Sequence, residues 1–333
     1  MRHFFVLIDG TNCVLASGTN IQKIHSLSAS AGYTRCYQSG IGALSRTKMR
    51  DLVFAPNLEP RALEVFQTLE GLDLGKEDRL YIFGYSRGAV IARTLAMCIA
   101  SSKHLRSAAR ISGFTGSIHA QIEFLCLFDP VAGRPRLQRT KVPNHDAILE
   151  PRIKNYLELI SVEESKPHYP SDSYSASKPT LKSIASISSV SKADTTADRQ
   201  KAMIELGILK TRKAVWFPGT HADVGGHGND EVIGFSTLAT ALKELDQLSE
   251  SAGLAVKFPA GEVQKIIDKA NSLEELESST PKGWISRNLR GLSQRISKRK
   301  PKAHELVQHY GHPSCKKYPG AAAALDEFPE YPT

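Results

Sequence analysis

The sequence predicts an α/β fold, a mainly parallel sheet flanked by helices, and three observations lead there. Short apolar segments recur along the chain as near-continuous runs, FFVLI at residues 4–8 being the first, which is how a strand covered on both faces reads. Each run stops abruptly in a polar or glycine-rich turn, and one leads straight into a stretch of helix formers. In open α/β sheets ligands bind in the crevice beyond the carboxyl ends of the strands, so these turns are the candidate functional positions.

The first run ends in Asp9-Gly10-Thr11-Asn12. Alone, this reads as a tight turn in which Gly10 supplies a positive φ and Asp9 or Thr11 caps the next segment. The second run, residues 80–83, is followed by Gly84-Tyr85-Ser86-Arg87-Gly88 and then by helix formers over residues 89–100. That is G-x-S-x-G between a strand and a helix. The glycines allow a strained turn and a close approach of helix to strand, which lifts the serine hydroxyl above the sheet as a nucleophile. The bland alternative is that Ser86 caps the helix.

A serine nucleophile needs a base to take its proton and an acid to orient that base, in the chain order Ser, Asp or Glu, His. Downstream, the run EFLCLFDP at residues 123–130 ends on Asp129, and AVWFPG at 214–219 is followed by Thr220-His221-Ala222-Asp223-Val224-Gly225-Gly226. Four strands therefore end in Asp, Ser, Asp and His on one edge. His221 is the candidate base and Asp129 the candidate acid, with Asp223 ranked second. Asp9, Asp129, His221, Asp223 and His227 can also be drawn as a metal site. His221 and His227 lie six apart in a glycine-rich loop, without the i, i+4 spacing of a helical zinc pair, so neither a metal nor another cofactor is expected.

Composition sets bounds on this. The chain has 333 residues and 41% hydrophobic content, enough for a sizeable core. No 18 apolar residues run together, and the N-terminus MRHFFVLIDG reaches an acid too early for a signal peptide. Neither a membrane span nor a Sec signal is expected, and synthesis in the cytoplasm is. Cys13, Cys36, Cys98, Cys126 and Cys315 are odd in number and never in C-x-x-C spacing, which argues against a disulfide framework or a zinc site. A net charge of +9 and a pI near 9.2 favour an anionic partner, lipid surface or nucleic acid. Nucleic acid ranks lower, because no binding motif accompanies the charge.

FFVLIDGTN, TNIQKI (19–24), CYQSGIG (36–42), FGYSRGAVIAR (83–93), LFDPVAG (127–133) and VWFPGTHADVGG (215–226) occur in the order seen in a family of α/β-hydrolase-domain proteins that the chain resembles. That family includes the type VI secretion lipase effectors, which act as phospholipases, and the resemblance spans residues 1 to about 245. It implies a Ser-Asp-His triad, which falls on Ser86, Asp129 and His221, the residues also reached from the strand ends. It favours phospholipids over small esters, and it implies a secretion apparatus and an immunity protein as partners and export without a Sec signal. Two positions depart from the family: Cys13 stands where a Trp is common, and His227 where a third glycine is frequent. Secreted members are usually longer, with membrane-docking insertions.

Acyl transfer develops negative charge on a carbonyl oxygen, which needs preorganised N–H donors. Arg87, following the nucleophile, is expected to supply one, and Gly10 or Thr11 the other. Asp9 is expected to tie down its own loop or the histidine loop, and Asp223 to brace the latter. The expected activity is hydrolysis of carboxylic esters through an acyl-enzyme. The alternatives are a soluble small-molecule esterase or thioesterase, and a hydrolase-fold binding module that has lost activity.

Residues 1–248 are expected to form the hydrolase domain, with a flexible insertion at about 165–198. Nine serines fall between 171 and 191, a composition that stays solvated and suits part of a lid. Leu238, Leu242 and Leu245 recur at helical spacing over 235–248. Residues 249–333 are expected to be a C-terminal helical extension. Within it, the stretch 284–300, opened by Trp284 and closed by Lys300, places Ile285, Leu289, Leu292 and Ile296 on one helical face, with Arg287, Arg290, Arg295, Lys298 and Arg299 on or near the other. Such a basic amphipathic helix fits an anionic membrane surface or a plain solvated face, and Gly291 weakens it in either role.

Overall fold

The apolar runs become strands of one parallel sheet whose C-terminal ends lie level. The computed structural model describes residues 1–43, 58–100, 116–131, 152–164, 212–271, 297–298, 308–313 and 329–332. Its elements run β1 (His3–Ile8), α1 (Asn20–Ser30), β2 (Thr34–Gln38), α2 (Leu58–Glu70), β3 (Arg79–Tyr85), α3 (Arg87–Ala100), β4 (Gln121–Phe128), β5 (Ile153–Ser161) and β6 (Glu163–Glu164). After these come β7 (Arg212–Phe217), α4 (His221–Val224), α5 (Glu231–Ser251), α6 (Ala260–Asn271), β8 (Ser297–Lys298) and β9 (Gln308–Gly311). The main sheet has the order β2-β1-β3-β4-β5-β7-β9, and each of its pairings is parallel. Register sets the ends in step: Ile8 pairs with Gly84, Tyr85 with Phe128, and Ser161 with Phe217. The turns after β1, β3, β4 and β7 consequently share one edge.

Side chains alternate across a strand, so each run feeds two cores. Val6, Ile82, Leu125 and Leu127 pack with α2 and α3, through Phe66, Ala92 and Leu95 among others. Phe5, Leu7, Phe83, Cys126 and Phe217 pack on the opposite face with α1 and α5, through Ile24, Leu238 and Leu242. All fourteen residues of α3 are buried, which is why it can be alanine-rich and apolar all round. Its one deeply buried charge far from the turn, Arg93, faces Glu158 of β5 at 4.0 Å. Breaking such a pair strands the remaining charge.

Besides β9, two strands of the sheet are not legible as apolar runs. Strand β2 lies at the edge, partly exposed, and β5 carries Glu158 in its middle. Helix α5 runs longer than its leucine spacing predicts, because Asp230 Oδ1 accepts from the N–H groups of Val232 and Ile233 (both 3.2 Å) and caps it earlier.

Among the described residues, the stretch beyond 248 is helical only in part. It does contain α6, but β9 adds to the open edge of β7, and Tyr331 N–H donates to Gly311 O (2.9 Å). An unpaired sheet edge is a row of unsatisfied backbone groups, which a returning strand of any composition can fill. Of the basic stretch 284–300, only Ser297 and Lys298 are described, and these two form β8, antiparallel to β6, where the spacing predicts the last turn of a helix. The rest of it, and the serine-rich insertion at 165–198, lie outside the described residues. No helix among the described residues is long and apolar enough to cross a membrane.

Candidate active site

Ser86 occupies the turn between β3 and α3 with φ +57°, a conformation that costs a non-glycine residue about 1–2 kcal/mol. The surroundings hold it there. Ser86 N–H donates to Phe128 O (3.0 Å), and Ser86 O accepts from Ala89 N–H (3.1 Å) and Val131 N–H (3.2 Å). A Cβ on Gly84 would stand 2.5 Å from Ala89 Cα, and one on Gly88 would stand 2.4 Å from the carbonyl oxygens of Ile8 and Asp9. Both glycines are therefore needed for α3 to start this close to β1 and β3. Arg87 is the first residue of α3, so its N–H points out of the helix N-terminus beside Ser86.

Across the edge, His221 opens the four-residue helix α4. His221 Nε2 lies 2.8 Å from Ser86 Oγ, and His221 Nδ1 lies 2.7 Å from Asp129 Oδ2. Asp129 is buried completely, Ser86 is 6% exposed, and the His221 side chain is 19% exposed. A carboxylate can only accept, which assigns the proton to Nδ1 and leaves the Nε2 lone pair facing the serine hydroxyl. Asp129 itself has φ +39°. Its carboxylate also accepts from Ser161 N–H (3.1 Å, at Oδ1) and Ser161 Oγ–H (2.9 Å, at Oδ2).

The other predicted residues sit nearby in separate networks. Asp9 Oδ2 accepts from Thr19 Oγ1 (3.0 Å), Gln22 Nε2 (3.0 Å) and Tyr37 OH (2.9 Å). Burial first, and then Asp9 itself, pushes the Tyr37 hydroxyl well up, so that it stays a donor. Asp9 Oδ1 accepts from Gly10 N–H at 2.8 Å. This corrects one expectation: the Gly10 N–H is committed to its neighbour's carboxylate and is not available to an oxyanion. The Thr11 N–H has no acceptor among the described residues. Asp223 does not reach His221 either. Its Oδ2 accepts from Thr220 N–H (2.8 Å) and Oγ1–H (2.7 Å), and its Oδ1 from Asp230 N–H (3.1 Å).

Metal binding needs donors that converge on one point, and no group of three His, Cys, Asp or Glu does so among the described residues. The Cys13 thiol, close to the first turn, is pushed up to about 12 by burial and then by Asp9, so it is a neutral weak donor to Thr11 O (3.6 Å). Desolvation, followed by the neighbouring His221, holds His227 below the ordinary imidazole value.

Four contributors escaped the sequence reading. Ser161 comes from β5, whose run is broken by Glu158. Asn20 at the start of α1 donates through Nδ2 towards Gly234 O (3.0 Å) and Thr237 Oγ1 (2.9 Å), while its N–H reaches Gly225 O (2.9 Å). One turn on, Lys23 Nζ donates to Gly226 O (2.8 Å), its ammonium lowered to about 8 mainly by burial. These tie α1 to the loop that carries His221. The fourth is Tyr85, the variable residue before Ser86, which stacks on the imidazole.

A parallel sheet with helices on both faces, a strained strand-to-helix serine and a histidine on the same edge of the sheet define the α/β-hydrolase class of fold. The chain belongs to the family of type VI secretion system phospholipase effector Tle1-like catalytic domains, whose model matches residues 2–112 and 99–247. Among solved structures, it is similar to an uncharacterized protein from Pseudomonas aeruginosa at 17% identity and TM-score 0.47, covering 81% of this chain and 48% of that one. It is similar to the Tle1 effector bound to the VgrG spike at 15% identity and TM-score 0.32, covering 68% and 51%. Phosphonate-inhibited esterase B from Lactobacillus rhamnosis is similar at 15% identity and TM-score 0.40, covering 77% and 78%. The chain thus spans about half the length of the first two. No curated protein matches it.

Proposed function

We propose that this chain is a serine hydrolase that cleaves carboxylic esters, with phospholipids as the substrate class. The observation that carries the reading is the continuous contact from Ser86 Oγ through His221 to Asp129 Oδ2, at 2.8 and 2.7 Å. Attack of Ser86 Oγ on the ester carbonyl passes the hydroxyl proton to His221 Nε2, and Asp129 stabilises the imidazolium that forms. Breaking the ester C–O bond returns that proton to the leaving alcohol. Water then attacks the acyl-serine by the same route in reverse. The N–H groups of Arg87 and Thr11 hold the carbonyl oxygen as its charge develops. Asp9 and Asp223 act on the loops and not on the proton.

Membership of the Tle1-like family supports a lipid over a small soluble ester. Delivery by a type VI secretion apparatus and an immunity protein as partner belong to the same proposal. The basic composition of 284–300 is compatible with an anionic membrane surface.

Ser86→Ala tests the mechanism. Loss of a triad serine typically removes on the order of 10⁴ or more of the rate, so the folded variant should show almost no release of fatty acid from mixed phospholipids. The wild type should yield fatty acid plus lysolipid by mass spectrometry. Wild-type turnover in folded Ser86→Ala protein would refute the nucleophile, and hydrolysis of short soluble esters with none of phospholipids would refute the substrate class.

A further inference from the structure

Two in-plane hydrogen bonds fix His221 along the line from Ser86 to Asp129, but they resist out-of-plane tilting of the ring poorly. The helix that carries His221 is a single turn. The groups that bear on the faces of the imidazole therefore matter, and one of them is the ring of Tyr85. It is stacked on His221 with centroids 5.0 Å apart and an interplanar angle of 27°. Its hydroxyl donates to the backbone carbonyl of His221 at 3.2 Å. Tyr85 is 2% exposed and cannot swing away. A Cβ on Gly10 would stand 2.5 Å from its Cδ1, and one on Gly225 would stand 2.3 Å from its Cζ. His227 meets the phenol edge-on at 5.3 Å and 72°. The ring is thus wedged between the turn after β1 and the end of α4, with a face towards His221.

We infer that Tyr85 is a positioning residue for His221: its ring holds the imidazole plane in line with Ser86 and Asp129, and its π-face favours the imidazolium that forms as Ser86 loses its proton. An aromatic quadrupole attracts a cation over its face, and the attraction grows where water is excluded. The charge on His221 exists only while the reaction proceeds, so the benefit falls on the chemical step and not on substrate binding. This rests on the reading of Ser86 as the nucleophile. It also gives Gly10 and Gly225 a shared purpose, since any side chain at either position would displace the phenol.

The test compares Tyr85→Phe, Tyr85→Leu and Gly225→Ala on a short soluble ester, with kcat and KM measured separately and the His221 ring protons followed by NMR. Tyr85→Leu should lower kcat by about 10- to 30-fold with KM within twofold, and the His221 ring protons should move downfield as the shielding of the stacked ring is lost. Tyr85→Phe keeps the ring and should stay within about threefold of wild type. Gly225 has φ −70°, which alanine adopts freely. Gly225→Ala should therefore lower kcat by pushing the phenol aside, and it carries the test if the leucine variant does not fold. Equal losses in the phenylalanine and leucine variants, a change confined to KM, or unmoved His221 ring protons in Tyr85→Leu would each overturn the inference. If the wild type hydrolyses no ester, it is the reading of Ser86 that fails, while the ring-proton shifts still decide whether Tyr85 holds the imidazole.

Discussion

Asp9 and Asp129 each follow the last residue of a buried parallel strand, on the same edge of the sheet, and each is almost completely enclosed. Only Asp129 touches an imidazole. The partners of Asp9 are local: Gly10, Thr19, Gln22 and Tyr37 all come from the next 28 residues. Those of Asp129 are distant, Ser161 standing 32 residues away and His221 standing 92. A strand end in this fold makes a carboxylate available, and its partners decide whether it holds a loop or orients a base. The local set saturates Asp9 with neutral donors. The distant set leaves Asp129 the position opposite His221.

The largest expected effect separates the two directly. Asp129→Asn keeps an oxygen for Ser161 N–H but turns an NH₂ group towards His221 Nδ1, which moves the imidazole proton to Nε2, where it blocks transfer from Ser86. The rate should fall by roughly 10⁴ with the fold retained, as steady-state kinetics beside circular dichroism will show.

Asp9→Asn should act on stability. Its amide would face the hydroxyls of Thr19 and Tyr37 and the amide of Gln22, losing charge-assisted bonds and costing about 2–3 kcal/mol in chemical denaturation. The kcat of the folded fraction should stay within about tenfold of wild type. A loss of rate matching that of Asp129→Asn would erase the distinction between the two carboxylates.

Asp223→Asn sharpens the comparison from a third position. Asp223 braces the backbone on both sides of α4 but does not touch the ring, so its replacement should cost about 10-fold in kcat through looser placement of His221. If Asp223→Asn proved worse than Asp129→Asn, the acid and the brace would have to exchange roles.

Much of the architecture could be read directly because local chemistry imposes it. A continuous apolar run makes a doubly covered strand, and Gly-x-Ser-x-Gly between strand and helix makes a strained serine wherever the chain places it. The edge strand β2 and the charge-bearing β5 were not legible, since periodicity cannot see a carboxylate that is neutralised by Arg93 from another element. The same blindness hid Ser161 and Asn20, whose partners lie 32 and more than 200 residues away. Residues 297–298 show the converse, pairing with β6 at a place where the sequence predicts helix.

The sequence by itself determined the strand ends, the serine turn and the short list of acids and histidines beyond them, because these follow from neighbours a few residues apart. Only the tertiary structure decided which acid meets His221, which N–H is already taken by Asp9, and that the variable residue of the serine motif lies against the imidazole. Those contacts depend on the register of parallel strands and on gaps left by Gly10 and Gly225, and strand register is set by packing across the whole sheet.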